Sequence, residues 1–170
     1  MRYIFKIIWR IIGWNVVGDV PRNIKKYIII VAPHTSNWDF IIGVLARGVA
    51  GFDSKFLGKH TLFKPPFGWF FKWMGGYPVD RTKKTNLVDQ VVAFYDDHES
   101  FVISLAPEGT RKNVDEWKTG FYYIAIKARI PIVRVKMDRP NKKVIFFDPY
   151  WPTENFENDM IEIKKVYLNS

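Results

Sequence analysis

Short apolar runs, each followed by a stretch of helical period, constrain this chain more than any other feature. YIIIVAP (27–33), FVISLAP (101–107) and IPIVRVKM (130–137) are nearly unbroken runs of strand-forming residues. Runs of that kind suit strands covered on both faces, as in parallel sheets. Between and after them, FIIGVLARGVAG (40–51), NLVDQVVAFYDDH (86–98) and KTGFYYIAIKA (118–128) place apolar residues at helical spacing. SKFLGK (54–59), YPVDR (77–81) and KKVIFFDP (142–149) read as further strands, KPPFGWFFKWMGG (64–76) as a short aromatic helix, and NDMIEIKKVYLN as a closing helix. Alternation of this type predicts a single-domain α/β sandwich with a largely parallel central sheet. In such sheets chemistry collects at the carboxyl ends of strands. There the chain places His34, then Asp80 and Arg81, then Glu108 to Arg111.

Composition narrows the function classes. At 170 residues and 48% hydrophobic content, one domain can bury a real core. The absence of cysteine removes disulfides, thiolate catalysis and Cys-ligated zinc. His34, His60 and His98 are the only histidines, with no HExxH spacing, so no metal site is expected. A net charge of +9 favours an anionic partner: nucleic acid, anionic lipid or a phosphorylated small molecule. Zinc-finger spacing, a basic region joined to heptads and an RNP-type aromatic signature are all missing, which counts against nucleic acid.

The N-terminal segment 1–17 reads as an amphipathic helix. Ile4, Ile7, Ile8, Ile11 and Ile12 follow helical spacing, Arg2, Lys6 and Arg10 recur along another face, and Trp9 and Trp14 suit a water boundary. It is too short and too charged to span a bilayer, and it lacks the apolar core and cleavage pattern of a secretory signal. Two readings stand: a helix lying in a membrane surface, and a helix packed on the domain or on a second subunit.

HTSNWD (34–39) follows the first strand. Five positions on a regular helix separate two side chains by about 140°, so His34 and Asp39 cannot stack on one helical face. They meet if His34 lies in the loop and Asp39 in the first turn of the next helix, with Thr35, Ser36 or Asn37 as N-cap. A carboxylate there accepts the Nδ1 proton and leaves Nε2 as a base. The plainer alternative is a capped helix start with an incidental histidine. PEGTR (107–111) supplies a glycine for a close turn, a hydroxyl, and a guanidinium fork suited to phosphate. Trp69, Phe70, Phe71, Trp73 and Met74 read as core or as an acyl groove. Lys59 and His60 read as facing the site entrance or as a solvated turn, and Arg81, Lys83 and Lys84 as contacts to phosphate or lipid headgroups or as a solvated face.

The order HTSNWD, GGYPVDR (75–81), APEGTR (106–111), ARIPIVRV (128–135) resembles the four blocks of the glycerolipid acyltransferase superfamily, of the 1-acyl-sn-glycerol-3-phosphate acyltransferase type. The resemblance implies that residues 18–170 form an acyltransferase domain, with His34 the general base and Asp39 its orienting partner. It implies that Arg81, Glu108, Gly109, Thr110 and Arg111 bind the acceptor. The implied reaction moves a fatty acyl group from a thioester, acyl-CoA or acyl-carrier protein, to the free hydroxyl of a lysophospholipid, without cofactor or metal. The implied setting is peripheral, on the cytoplasmic face of a membrane. Two alternatives remain: another lysolipid or amino-acid-linked lipid as acceptor, and a non-catalytic membrane-binding module.

Overall fold

A computed structural model describes residues 2–34, 36–79, 87–109 and 116–168. In chain order they form α1 (Arg2–Ile12), β1 (Asn15–Val17), β2 (Lys26–Ala32), α2 (Asn37–Ala50), β3 (Lys55–Lys59), α3 (Gly68–Trp73), β4 (Gly76–Val79), α4 (Leu87–Asp97), β5 (Phe101–Leu105), α5 (Gly120–Ala128), β6 (Ile132–Asp138), β7 (Lys143–Phe146) and α6 (Phe156–Leu168). A 3-10 turn, His60–Phe63, joins β3 to the loop before α3. The strands make one seven-stranded sheet in the order β1-β7-β6-β2-β5-β3-β4. Among the described strand pairs only β6 with β7 is antiparallel. The expected α/β architecture with a largely parallel sheet is therefore the observed one.

The sheet divides the core in two. Ile28 and Ile30 of β2 turn to one face, where Val91 and Tyr95 of α4, Phe121 and Ile124 of α5 and Ile163 of α6 cover them. Tyr27 and Ile29 turn to the other, against Ile42 and Leu45 of α2 and Trp9 of α1. This period of two is why YIIIVAP is apolar throughout: both pleats are buried.

The N-terminal segment departs from the sequence reading. The helix stops at Ile12, not at residue 17, because Gly13 adopts φ +71°, open to glycine at little cost. Asn15–Val17 then pair in parallel with Lys143–Ile145 as the edge strand. Phe5, Trp9 and Ile12 pack α1 onto the domain, the Phe5 ring lying over Gly48 of α2, while Ile7, Ile8 and Ile11 stay exposed. The stripe that docks is thus largely aromatic, and the isoleucine stripe is left uncovered. The aromatic helix also differs from expectation. Trp69 (71%), Trp73 (62%) and Phe70 (40%) are exposed, so these three are not core.

Candidate active site

Parallel order brings the carboxyl ends of β2, β5 and β6 side by side. His34 follows β2, Glu108 follows β5, and Arg139 follows β6. Glu108, 7% exposed, accepts the His34 backbone N–H on Oε2 at 2.7 Å and so ties the turn at residues 107–109 to the histidine loop. Behind that loop the Tyr167 hydroxyl donates to the Ile30 carbonyl at 3.1 Å. Burial pushes the Tyr167 phenol well above its ordinary value, so it stays a neutral donor.

Ser36 is the N-cap of α2, its Oγ accepting the Trp38 N–H at 3.2 Å, and Asp39 closes the capping box by accepting the Ser36 N–H on Oδ2 at 2.8 Å. The same Oδ2 lies 3.5 Å from His34 Nδ1. That is longer than a formed N–H···O bond, as catalytic pairs often are before substrate tightens them. One carboxylate thus closes the cap of α2 and also faces His34 Nδ1. Nδ1 is the ring nitrogen turned to Asp39, and Nε2 is turned away from that carboxylate. His34 is 24% exposed and Asp39 only 3%.

Arg139, in the turn between β6 and β7, was not legible as a site residue. Its Nε donates to Asp39 Oδ1 at 3.1 Å, and Nη2 donates to the same oxygen. The guanidinium thereby gives a nearly buried carboxylate its counter-charge and leaves Oδ2 to Ser36 and His34. Nothing in the run DRPNKK marked it, since only the β2–β6 pairing carries the turn to α2.

A cavity of about 1140 Å³ opens beside His34 and Asp39. Its walls are mainly apolar, with Ile29, Val31, Phe40, Val44, Phe52 and Phe146 among them. Arg47, Lys55 and Lys118 are its cationic walls. Arg47 is spent on the Ser54 and Met74 carbonyls (2.6 and 3.1 Å), and Lys55 on Asp53 (2.7 Å). Lys118 has no anionic partner among the described residues and lies across Gly109, where an added Cβ would meet its Cδ at 2.6 Å. Gly109 has φ +62°, so glycine here serves both the turn and the passage of Lys118. The sequence reading missed Lys118 too; its signal was a lone cation just before an apolar helix. Of the expected site residues, His34, Asp39, Glu108 and Gly109 converge. Arg81, Thr110 and Arg111, with Lys83 and Lys84, lie outside the described residues. The aromatic residues Trp69, Phe70, Phe71, Trp73 and Met74 do not line the cavity.

Comparison with known proteins gives a consistent result. The family described as Acyltransferase matches residues 14–138. The 1-acyl-sn-glycerol-3-phosphate acyltransferase of Salmonella typhimurium is 28% identical over 140 residues, covering 78% of this chain and 56% of that protein. Its Saccharomyces cerevisiae counterpart is 30% identical over 129 residues, covering 71% and 41%. The chain thus spans about half the length of these curated relatives. The crystal structure of the 1-acyl-sn-glycerophosphate (LPA) acyltransferase PlsC from Thermotoga maritima superposes with a TM-score of 0.63 at 19% identity, over 97% of this chain and 74% of that one. At that identity the likeness shows the fold.

Proposed function

The chain belongs to the acyltransferase family, and from that premise we propose that it acylates the free hydroxyl of 1-acyl-sn-glycerol-3-phosphate, giving phosphatidic acid. One observation carries the reading: a histidine backed by a buried, counter-charged aspartate lines a mainly apolar cavity. His34 Nε2 takes the proton of the acceptor hydroxyl as its oxygen attacks the thioester carbonyl. The new C–O bond makes a tetrahedral oxyanion; its collapse breaks the C–S bond, and His34 returns the proton to the leaving thiolate. Asp39 holds the ring and offsets the charge of the transient imidazolium. The acyl chain lodges among Ile29, Val31, Phe40 and Phe146. The donor is acyl-CoA or acyl-carrier protein, and Arg81 and Arg111 receive the acceptor phosphate, as the resemblance implies.

We place the enzyme at the cytoplasmic face of a membrane, held through the exposed Ile7, Ile8, Ile11, Lys6 and Arg10 of α1. Among the described residues no helix is long and apolar enough to cross a membrane. The test is a purified-protein assay pairing both donors with lysophosphatidic acid, a phosphate-free lysolipid and an amino-acid-linked lysolipid. Transfer to lysophosphatidic acid that vanishes in His34→Ala supports the proposal. Preference for the phosphate-free acceptor would overturn the assignment of substrate, and no transfer to any acceptor would overturn the activity.

A further inference from the structure

The segment between β3 and β4 does what neither a core nor a groove requires: it turns its aromatic rings outward. Phe67 (67%), Trp69 (71%), Trp73 (62%), Leu62 (44%) and Phe70 (40%) are all exposed. Phe70 touches both tryptophans, with ring centroids 6.1 Å apart in each case, so these three rings make one patch. What holds the segment down is Phe63, whose ring fills space left by Gly58 and Gly76 and packs edge-on to Phe71 at 6.4 Å. Gly68 fits where a Cβ would lie 2.0 Å from the Phe63 carbonyl oxygen. The inner side is therefore closely fitted, and the outer side is free by construction.

The segment that carries the patch has charge of one sign. Ser54 to Val79 contains no Asp or Glu, but Lys55, Lys59, Lys64 and Lys72. Lys64 and Lys72 are exposed and have no carboxylate partner among the described residues. Soluble surfaces rarely leave so many large rings together uncovered. Tryptophan rings among lysines suit the headgroup level of an anionic bilayer, where the ring is half-wet and the ammonium meets lipid phosphate. The patch is also hung on the helix that carries α1. Arg47 of α2 binds the Met74 carbonyl at the end of α3, and the neighbouring Gly48 receives Phe5 of α1.

We propose that Leu62, Phe67, Trp69, Phe70 and Trp73, with Lys64 and Lys72, form a membrane-docking surface for anionic lipid, separate from the exposed isoleucine face of α1. The inference goes beyond the catalytic proposal, because vesicle binding is read without turnover: loss of acyl transfer leaves it standing. The experiment uses the whole chain and vesicles of phosphatidylcholine alone or with phosphatidylglycerol. Variants are Trp69→Ser with Trp73→Ser, and separately Lys64→Gln with Lys72→Gln; all four side chains are exposed, and melting temperature checks that folding is kept. Co-sedimentation should weaken by about tenfold for each lost tryptophan. It should weaken by about fivefold for each lost lysine, on phosphatidylglycerol vesicles alone and at low salt. Tryptophan emission of the wild type should shift to the blue on phosphatidylglycerol vesicles, by more than that of the double serine variant. Unchanged vesicle binding in both variants overturns the proposal. So does a wild-type dimer that the serine variant abolishes while vesicle binding stays intact, since the patch is then an interface between copies.

Discussion

Asp159→Ala tests how α6 is fastened behind the loop that carries His34. The Asp159 carboxylate, 1% exposed, accepts four hydrogen bonds. The Tyr150 hydroxyl (2.7 Å) and Thr153 hydroxyl (2.8 Å) bind Oδ1, and the Tyr122 hydroxyl and Thr153 backbone N–H (2.8 Å each) bind Oδ2. Burial alone would raise this carboxyl, but the hydrogen bonds from Tyr150, Thr153 and Tyr122 outweigh it and hold it below the usual aspartate range. Alanine strands all four donors. Each buried donor left unpaired costs about 1–3 kcal/mol, but three are rotatable hydroxyls, so the expected total is about 3–5 kcal/mol. Asparagine is milder. With its amide nitrogen at the Oδ1 position it donates to two hydroxyls that can turn to accept, while its oxygen keeps Tyr122 and the Thr153 N–H. Only charge assistance is lost, about 1–2 kcal/mol. At about 2–4 °C per kcal/mol for a chain of this size, melting by circular dichroism should fall ~10 °C for alanine and ~4 °C for asparagine. A depressed carboxyl contributes stability above its unfolded value and loses it as pH falls through the folded value. The gap between wild type and Asp159→Asn should therefore narrow as pH drops below about 4. An alanine variant melting within ~2 °C of wild type, or a gap constant with pH, would refute the reasoning.

Three further outcomes are expected. His34→Ala should lower kcat by at least ~10²-fold and leave the melting temperature within ~2 °C, because the ring, the proposed base, is partly exposed and lies in a loop; near-normal turnover would remove the mechanism. Arg139→Ala should lower kcat by roughly tenfold with little change in KM, and Arg139→Lys, which keeps charge but loses the fork, should fall between; steady-state kinetics on all three proteins decides it. Gly109→Ala forces an L-residue to φ +62° and displaces Lys118, so it should cost about 1–2 kcal/mol in denaturant unfolding and lower kcat/KM; equal stability would mean the turn relaxes freely.

Legibility followed sequence separation. The buried strands and the capped start of α2 announce themselves locally, through unbroken apolar runs and through Ser36 three residues before Asp39. Glu108 was legible because PEGTR is a contiguous block. Arg139 was not, since its partner lies 100 residues away and only the strand order joins them. The outward turn of Trp69 and Trp73 was hidden for another reason. Aromatic density reads as core, and what reverses it is the fit of the single ring of Phe63 against Gly58 and Gly76. The stop of α1 at Gly13 was marked by the glycine itself, and the reading to residue 17 followed apolar character past it.

The double engagement of Asp39 has an evolutionary consequence. Catalytic groups commonly cost their fold something, so that losing them yields a sturdier, inactive protein and a downhill path for drift. Here the carboxylate proposed to orient the base also closes the first turn of α2 and answers a guanidinium. A lineage that relaxed selection on turnover would gain no stability by discarding Asp39, whereas His34, whose ring among the described residues meets only that same carboxylate, could go at little cost. Decay of this site is therefore expected to begin at the histidine, leaving the aspartate behind as a helix cap.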